Sequence, residues 1–349
     1  MSDPPFDPTQ PPHDPTRPPE PIHPSEQEGT RGLQAVGPWI EAQRRRRLWF
    51  LRLTIGGLGA GLVLIGVGLV IARTSGLAAL RWELENVDVD PETGVRPGAE
   101  DRTFAVDGAR EAVLFVHGWC SSPRDFGPLP EQVAAAGMHA RLMRLPGHGT
   151  DPRDFAAATL EDWREAVKRE YEALEGTFER VHLVGFSMGG ALCVELAAER
   201  EAASLVVIAP FFGLPYPRPF GLRVGTLADW LDPLLPWVDG GREVNSLECR
   251  EFAAEVIKYR AIPLSAAVQV DRLGAIVTDP RLLGRVTEPL LVIGSPNDPV
   301  ASAERAFEAL RQTASETRVE VVAENSGHIL VWDCDRDQVR AAVLDFLID

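Results

Sequence analysis

The pentapeptide from Gly185 to Gly189 constrains the fold of this chain more than any other stretch. It follows a short apolar run, residues 181–184, and precedes a longer, helix-like apolar run over 191–198. Glycines two positions before and after Ser187 let the backbone turn sharply from strand to helix, which lifts the serine hydroxyl clear of the sheet. The pattern predicts that Ser187 is a nucleophile at the end of a buried strand.

Strand and helix signals alternate on both sides of this turn. Repeated alternation predicts an α/β fold, in which a mostly parallel, doubly wound sheet has helices on both faces. The predicted strands are residues 112–116, 141–145, 181–184, 205–209, 290–293 and 319–323. The predicted helices outside the region 211–286 are residues 126–136, 160–174, 303–310 and 338–347.

This alternation is interrupted between residues 211 and 286, where aromatic and prolyl residues precede a predicted helical stretch over 248–273. An insertion between two core strands predicts a helical cap over the sheet edge where ligands bind. Its apolar side chains are expected to form the wall of a substrate pocket. The candidates are Phe211, Phe212, Trp230 and Trp237.

Residues 53–72 contain no charged side chain and lie just after the arginines 44–47 and Arg52. As a helix with a rise of about 1.5 Å per residue, they would cover the roughly 30 Å hydrocarbon core of a bilayer. The sequence therefore predicts a retained single-pass transmembrane helix that binds the protein to a membrane. Only Arg73 and Arg81 follow it closely, so the positive-inside rule places the amino terminus in the cytoplasm and the catalytic domain outside the cytoplasm.

The first 38 residues hold 11 of the 29 prolines and hardly any apolar cluster. Such a segment cannot offset the entropy that is lost on ordering, which predicts a disordered tail. The predicted organisation has four parts: a disordered proline-rich tail over 1–43, a basic flank and transmembrane anchor over 44–73, a linker over 74–102, and an α/β domain over 103–349.

Charge excludes one class of partner. The chain carries 35 basic and 51 acidic residues, and the part after Arg81 has 26 basic and 44 acidic ones. Because nucleic-acid binding needs clustered cations that neutralise phosphates, we expect no nucleic-acid partner.

The four cysteines are Cys120, Cys193, Cys249 and Cys334. Their spacing fits no zinc motif, so a metal site is not expected. Cys193 is expected to pack as a small apolar residue on the helix after Ser187. A disulfide between Cys249 and Cys334 would be compatible with a domain outside the cytoplasm, but spacing alone does not establish it.

A serine hydroxyl is a poor nucleophile unless a neighbouring base takes its proton and a third group orients that base. Asp298 follows the strand-like run 290–293, and His328 follows the run 319–323. Both would lie at the carboxyl edge of the sheet beside Ser187, in the chain order Ser, Asp, His. We therefore predict that His328 is the base and that Asp298 orients it.

Asp333 is a rival acid close after His328. The sequence places it at the start of the last helix, where we expect its side chain to cap the helix.

The run 113–116 leads into His117, Gly118 and Trp119, which open at the same sheet edge. A tetrahedral intermediate needs preorganised N–H donors for its oxygen. We expect the backbone N–H groups of Trp119 and Met188 to form this oxyanion hole, and His117 and Gly118 to lie beside the substrate pocket.

With these motifs the chain resembles the α/β hydrolase superfamily, and within it the bacterial carboxylesterases and monoacylglycerol lipases. The matching segments are residues 117–119, 145–150, 185–190, 259–264, 297–300 and 326–328. The resemblance spans residues 103–349 and implies a serine esterase that acts on short or medium acyl esters or monoglycerides without a cofactor. The proline-rich tail, the membrane anchor and the tryptophan-rich cap depart from these soluble esterases.

Other functions stay open at this stage. The same three side chains serve thioesterases, acyltransferases, peptidases and cofactor-free haloperoxidases, which fold alone does not separate. A catalytically silent, membrane-tethered interaction module is a further alternative. The sequence does not predict an oligomeric state.

Overall fold

The computed structural model describes residues 26–215, 223–241 and 246–349, with side chains from residue 41 onward except that of Val224. Residues 1–25 of the predicted tail lie outside the described residues. The chain divides into two compact units, of which one is Met1–Gly66 and the other is Val67–Asp349.

The centre of the second unit is a sheet of seven strands. The strands in the described part of the chain are β1 (Arg102–Phe104), β2 (Glu111–Val116), β3 (His139–Met143), β4 (Arg180–Phe186), β5 (Leu205–Ile208), β6 (Trp237–Asp239), β7 (Ala261–Pro263), β8 (Leu290–Gly294) and β9 (Arg318–Val322). The order in the large sheet is β1-β3-β2-β4-β5-β8-β9, and every neighbouring pair is parallel except β1 with β3. Strands β6 and β7 form a separate antiparallel pair.

Helices connect most of the strands. They are α1 (Glu26–Asn86), α2 (Leu129–Ala135), α3 (Pro152–Ala157), α4 (Leu160–Glu175), α5 (Met188–Ala197), α6 (Val224–Leu231), α7 (Leu264–Ile276), α8 (Pro280–Leu283), α9 (Ala303–Leu310) and α10 (Arg336–Ile348). Within the residues that the structure describes, two short 3₁₀ helices occupy Pro123–Phe126 and Arg250–Glu255.

Both faces of the large sheet are buried by helices. Successive residues of β2 point to opposite faces of the sheet. Leu114 packs in a cluster with side chains of α4 and α5, whereas Phe115 packs in a second cluster with side chains of α2 and α10. This two-sided core confirms the predicted α/β fold. Since the strands are parallel, the carboxyl ends of β2, β4, β8 and β9 meet at one edge, which carries the candidate site.

The cap differs from the prediction. Residues 248–273 were expected to be one helical stretch, but they contain the 3₁₀ helix Arg250–Glu255, strand β7 and most of α7. That part of the prediction is wrong because β7 pairs with β6, placing Trp237 opposite Pro263. A local helical signal cannot anticipate a partner strand more than 20 residues away.

Helix α1 also differs from the prediction at both of its ends. The tail was expected to be disordered up to residue 43, but α1 begins at Glu26, and it runs through the start of the predicted linker to Asn86. Its segment Glu41–Asn86 is long and apolar enough to cross a membrane. The rest of the predicted linker is not a free tether, since Val95, Arg96 and Ala99 are buried.

Within the second unit, the end of α1 packs on the cap. Ala79 is fully buried, and the Arg73 guanidinium donates to the carbonyl oxygen of Leu234 over 2.6 Å. The buried Glu83 carboxylate lies 2.8 Å from the Arg96 guanidinium and accepts the N–H of Ala261. These contacts fix the end of α1 against β7 and the loop before β6.

Candidate active site

Ser187 sits on a sharp turn between β4 and α5. Its φ of 52° and ψ of −117° are a strained combination for a residue with a side chain, so the surrounding structure must hold it. The turn needs glycine on both sides, because a Cβ on Gly189 would lie 2.0 Å from the carbonyl oxygen of Val116, and one on Gly185 would lie 2.5 Å from Cα of Gly190. These close approaches explain the glycine spacing that the sequence shows.

The structure brings Ser187, His328 and Asp298 together. His328 Nε2 lies 3.0 Å from Ser187 Oγ, and His328 Nδ1 lies 2.6 Å from Asp298 Oδ2. All three residues are buried, with exposed fractions of 5%, 7% and 6% respectively. In the tautomer that suits these distances, Nδ1–H donates to the carboxylate and Nε2 accepts from the serine hydroxyl. The chain separates Ser187 from His328 by 141 residues.

Backbone N–H groups hold the Asp298 carboxylate on the side away from the histidine. Its Oδ1 accepts the N–H groups of Val300 and Ala301 over 2.7 and 2.9 Å. The other oxygen, Oδ2, is left to face His328. The carboxylate is therefore fixed in rotation by the loop that follows β8.

One predicted oxyanion donor, Trp119, lies on the loop after β2, and the other, Met188, is the first residue of α5. Gly118 passes close to the nucleophile, since a Cβ added to it would stand 3.2 Å from Cβ of Ser187. Among the residues that the structure describes, no protein acceptor is found for the N–H of Trp119 or of Met188. Both groups therefore remain available for an oxygen atom bound beside Ser187.

Asp125 was not anticipated from the sequence. Its carboxylate accepts the N–H of Gly118 over 3.2 Å and the hydroxyl of Ser121, so it ties the Gly118 loop to the 3₁₀ helix that follows. Burial raises the pKa of Asp125 to about 7, against hydrogen bonds and the nearby His328, which lower it. A short segment rich in Ser and Asp was the available signal, but such segments are common in surface turns.

A cavity of about 250 Å³ opens at Ser187. Its lining is mainly apolar, with contributions from the Gly118 loop, the cap and the His328 loop. The lining residues are Trp119, Cys120, Ser121, Asp125, Phe186, Ser187, Phe211, Leu214, Ser246, Val256, Lys258, Ala267, Val270, Asp271, Val300, His328 and Ile329. Phe211 was among the residues predicted to line the pocket, and the cap as a whole was expected to form its wall, but the individual residues of α7 and of the segment 256–258 were not named.

Several predicted pocket residues lie elsewhere. Phe212 faces a neighbouring cavity of about 310 Å³, and Trp230 is 65% exposed on α6. Trp237 belongs to β6, where its backbone meets Gly76 of α1. The tryptophans were misplaced because an aromatic-rich segment indicates burial in general and not the direction in which each ring points.

His117 is close to the site but turned away from the cavity. Its Nε2 accepts the N–H of Leu145 over 3.0 Å, so its Nδ1–H donates to the carbonyl oxygen of Gly118. Burial lowers the pKa of His117 to about 4, which keeps the ring neutral at ordinary pH. His117 therefore joins two loops at the sheet edge, while Gly118 itself packs against Phe186.

Asp333 does not cap the last helix. Helix α10 begins at Arg336 with Asp335 in the N-cap position, and the buried carboxylate of Asp333 accepts backbone N–H groups of other segments. The prediction of a cap was wrong because the chain makes a further turn between Asp333 and the helix.

Cys249 and Cys334 form a disulfide, with their Cα atoms 5.2 Å apart. Cys120 and Cys193 are free and buried. Burial raises the pKa of Cys120 to about 12, so its thiol stays protonated although it borders the cavity.

Comparisons with known proteins agree with this geometry. The model of the alpha/beta hydrolase family matches residues 113–342. The thermostable monoacylglycerol lipase of Bacillus sp. (strain H-257) is 30% identical over 256 residues, which are 72% of this chain and 95% of the lipase. The carboxylesterase of Bacillus subtilis (strain 168) is 21% identical over 247 residues, covering 70% of this chain and 96% of the esterase.

Solved structures give a similar result. A chain solved in work on LipS and LipT, two metagenome-derived lipolytic enzymes, has 28% identity and a TM-score of 0.63 over 72% of this chain and 98% of its own. The monoacylglycerol lipase of Paleococcus ferrophilus has 19% identity and a TM-score of 0.61 over 71% of this chain and 98% of its own, which shows a shared fold.

Proposed function

The chain belongs to the alpha/beta hydrolase family, within its lipase and esterase type, and on this basis we propose that it hydrolyses carboxylic esters with Ser187 as the nucleophile. The observation that carries the proposal is the hydrogen-bonded line from Ser187 through His328 to Asp298, which ends in an apolar cavity. A nucleophile, a base and an orienting carboxylate in this order are what acyl transfer requires.

In the first half of the reaction, Ser187 Oγ attacks the acyl carbonyl while His328 Nε2 takes the hydroxyl proton. The imidazolium that forms is stabilised by Asp298, which holds Nδ1–H over 2.6 Å. The N–H groups of Trp119 and Met188 donate to the oxyanion, and each such donor is worth about 3 kcal/mol in the transition state. His328 then gives the proton to the leaving alcohol, and an acyl-enzyme remains on Ser187.

In the second half, water replaces the alcohol. His328 takes a proton from water, the resulting hydroxide attacks the acyl carbon, and the returned proton restores the serine. The products are a carboxylic acid and the free enzyme.

The cavity supports a substrate class. A volume of about 250 Å³ is below the usual range for drug-sized ligands, and the apolar walls suit a hydrocarbon chain better than a polar one. We therefore assign short or medium acyl esters or monoglycerides to the site. The names of the relatives, monoacylglycerol lipase and carboxylesterase, support this substrate class.

We also propose that α1 is a retained membrane anchor and that the hydrolase unit lies outside the cytoplasm. The arginine-rich amino flank of the apolar stretch supports the orientation, and the Cys249–Cys334 disulfide agrees with an oxidising compartment. A carboxyl-terminal fusion to a reporter enzyme that works only outside the cytoplasm should be active. An inactive fusion would reverse the orientation.

The central test uses purified full-length protein and the Ser187→Ala variant. Wild type should hydrolyse p-nitrophenyl esters and be labelled by a fluorophosphonate, and the variant should do neither. A panel of acyl esters and monoglycerides graded by chain length then defines the acyl specificity. Hydrolysis at the wild-type rate by the variant would refute Ser187 as the nucleophile, and labelling of wild type would refute a catalytically silent module.

A further inference from the structure

The loop that carries His328 is held from the cap as well as from the sheet. The N–H of His328 donates to the carbonyl oxygen of Ser246 over 2.7 Å. Ser246 belongs to the cap insertion and also lines the cavity. A backbone bond to the catalytic histidine therefore depends on a segment that lies more than 80 residues earlier in the chain.

Contact between these two segments is close. A Cβ added to Gly327 would lie 2.4 Å from the carbonyl oxygen of Ser246, so the two backbones touch directly. Next to this contact, Leu247 is 2% exposed and belongs to the same apolar cluster as Ile329 and Leu330. A shift of the segment Ser246–Cys249 would therefore move the histidine loop.

Asp333 bridges the same two segments. On the loop side, its Oδ2 accepts the N–H of Gly327 over 2.6 Å, directly before His328. On the cap side, its carboxylate accepts the N–H of Glu248 over 3.1 Å and that of Cys249 over 2.7 Å. The side chain is fully buried, and its partners in the described part of the chain are backbone N–H groups. Charge-assisted bonds of this kind are roughly twice as strong as neutral ones.

A covalent bond reinforces the bridge at the same place. Cys249 follows Glu248 and Cys334 follows Asp333, and the two sulfur atoms of their disulfide lie within 4.8 Å of a carboxylate oxygen of Asp333. We call the segment Ser246–Cys249, Asp333 and this disulfide the histidine clamp. The clamp holds the loop at Gly327, one residue before the base.

We propose that Asp333 is a positioning residue for His328 and that the Cys249–Cys334 disulfide keeps in place the cap segment that Asp333 binds. The inference rests on the proposed role of His328. Proton transfer needs Nε2 at its 3.0 Å distance from Ser187, and a displacement of about 1 Å can cost on the order of 100-fold in rate. The clamp limits such displacement from the backbone side, while Asp298 limits it from the ring side.

The variant Asp333→Asn tests the positioning role. Both carboxylate oxygens accept N–H groups, so either orientation of the amide sets an NH₂ group against a backbone donor. We expect kcat for p-nitrophenyl esters to fall by about 10- to 100-fold with KM changed by less than about twofold, because the cavity keeps its walls. The rate of fluorophosphonate labelling should fall in parallel.

Asp279→Asn is the matched control, since that carboxylate also accepts a backbone N–H, from Arg281, but at the start of the remote helix α8. Assays are run well below the melting temperature of each variant, so that loss of fold does not imitate loss of position. Wild-type kcat in Asp333→Asn, or a loss that appears in KM alone, would overturn the positioning role.

Reduction of the Cys249–Cys334 disulfide tests its role in the histidine clamp. Dithiothreitol transfers two electrons and two protons to the Cys249–Cys334 bond, giving two thiols and oxidised dithiothreitol. Wild-type kcat should then fall by about 3- to 10-fold, whereas the double variant Cys249→Ser, Cys334→Ser should show the lower rate from the start and not respond. Hydrogen exchange of residues 324–335 should rise on reduction, while that of α4 stays constant.

An unchanged rate and unchanged exchange on reduction would overturn the role of the disulfide. Failure of the proposed function has a different signature, because Ser187→Ala would then match wild type. In that case the exchange of residues 324–335 in Asp333→Asn still decides whether Asp333 holds the loop.

Discussion

The two oxygens of Asp298 have separate partners, and an isosteric change can therefore test the carboxylate itself. In Asp298→Asn, the amide oxygen would keep the bonds to Val300 and Ala301, and the NH₂ group would face His328 Nδ1. That donor stabilises the tautomer with its proton on Nε2, which cannot accept the serine proton. We expect kcat to fall by about 10⁴-fold with the melting temperature little changed. Steady-state kinetics measure this fall in kcat, and a loss of less than tenfold would contradict the role of Asp298 as the group that orients His328.

Asp125 should make stability depend on pH. Its folded pKa is raised to about 7 by burial, while an unfolded aspartate titrates near 3.9. Between these values the folded state holds a proton that the unfolded state has lost, so stability falls as pH rises from about 4 to about 7. Asp125→Asn removes this titration, and its oxygen can still accept from Gly118. The melting temperature of the variant relative to wild type should therefore increase from pH 4.5 to pH 8.

The control for this experiment is Asp125→Ala, which also lacks the carboxyl group but leaves the N–H of Gly118 without its acceptor. This variant should lose esterase activity, whereas Asp125→Asn should keep most of it. Parallel curves of melting temperature against pH for wild type and Asp125→Asn would show that Asp125 is already ionised in acid.

At the residue scale, the sequence predicted the candidate catalytic residues that a local sequence pattern marks. Ser187 stands in a fixed glycine pattern, and Asp298 and His328 each follow an apolar strand, so their positions at one sheet edge could be predicted. Asp125 and Asp333 could not be, because each acts by folding back on a backbone segment whose position depends on the tertiary structure. The prediction that Trp230 and Trp237 line the pocket failed for a related reason, since the sequence does not show which side of the cap an aromatic ring faces.

At the level of elements, the junction between α1 and the cap depends on Gly76. A Cβ on this residue would lie 2.0 Å from the carbonyl oxygen of Trp237 in β6. Alanine usually stabilises a helix by about 1 kcal/mol relative to glycine, but here the clash should dominate and cost about 1–3 kcal/mol. We expect Gly76→Ala to lower the melting temperature in detergent by several degrees.

Gly68→Ala is the matched control, because this glycine lies in the same helix and a Cβ would meet nothing within 4 Å. Its melting temperature should equal or exceed that of wild type. Equal melting temperatures for the two alanine variants would mean that α1 does not pack on β6.

Helices and strands whose apolar residues recur at a regular spacing were predicted best. Helix α9 was predicted with the bounds that the structure gives it, and the central strands were predicted within two residues. The short elements β1, β6 and β7 were missed, since three-residue strands gain their stability from partners distant in the chain. The prediction of a free linker was wrong because the polar residues of this segment include two buried charges, Glu83 and Arg96, which form an ion pair.

At the scale of the whole molecule, this buried pair makes residues 73–102 part of the hydrolase unit. Glu83 accepts the N–H groups of Arg260 and Ala261, and Arg96 lies 4.0 Å above the ring of Tyr259. A variant that begins at residue 73 should fold and keep the wild-type kcat. One that begins at residue 103 would leave these cap groups without partners, and its melting temperature should be lower by about 10 °C.

Thermal unfolding followed by circular dichroism separates the two truncated variants. Equal melting temperatures would show that the segment 73–102 contributes nothing to the unit, and the predicted boundary at residue 103 would then stand.

The disulfide has one more effect, which concerns the chain after it has lost its fold. Its two cysteines are 85 positions apart, and the covalent ring that they close contains Asp298 and His328 but not Ser187. In the chain-entropy account, closing a ring of this length lowers the entropy of the denatured ensemble and so raises its free energy by about 4–5 kcal/mol. Heat-treated enzyme should consequently regain more of its turnover on cooling when the bond is intact, because the cross-linked denatured chain has less conformational entropy to lose on refolding.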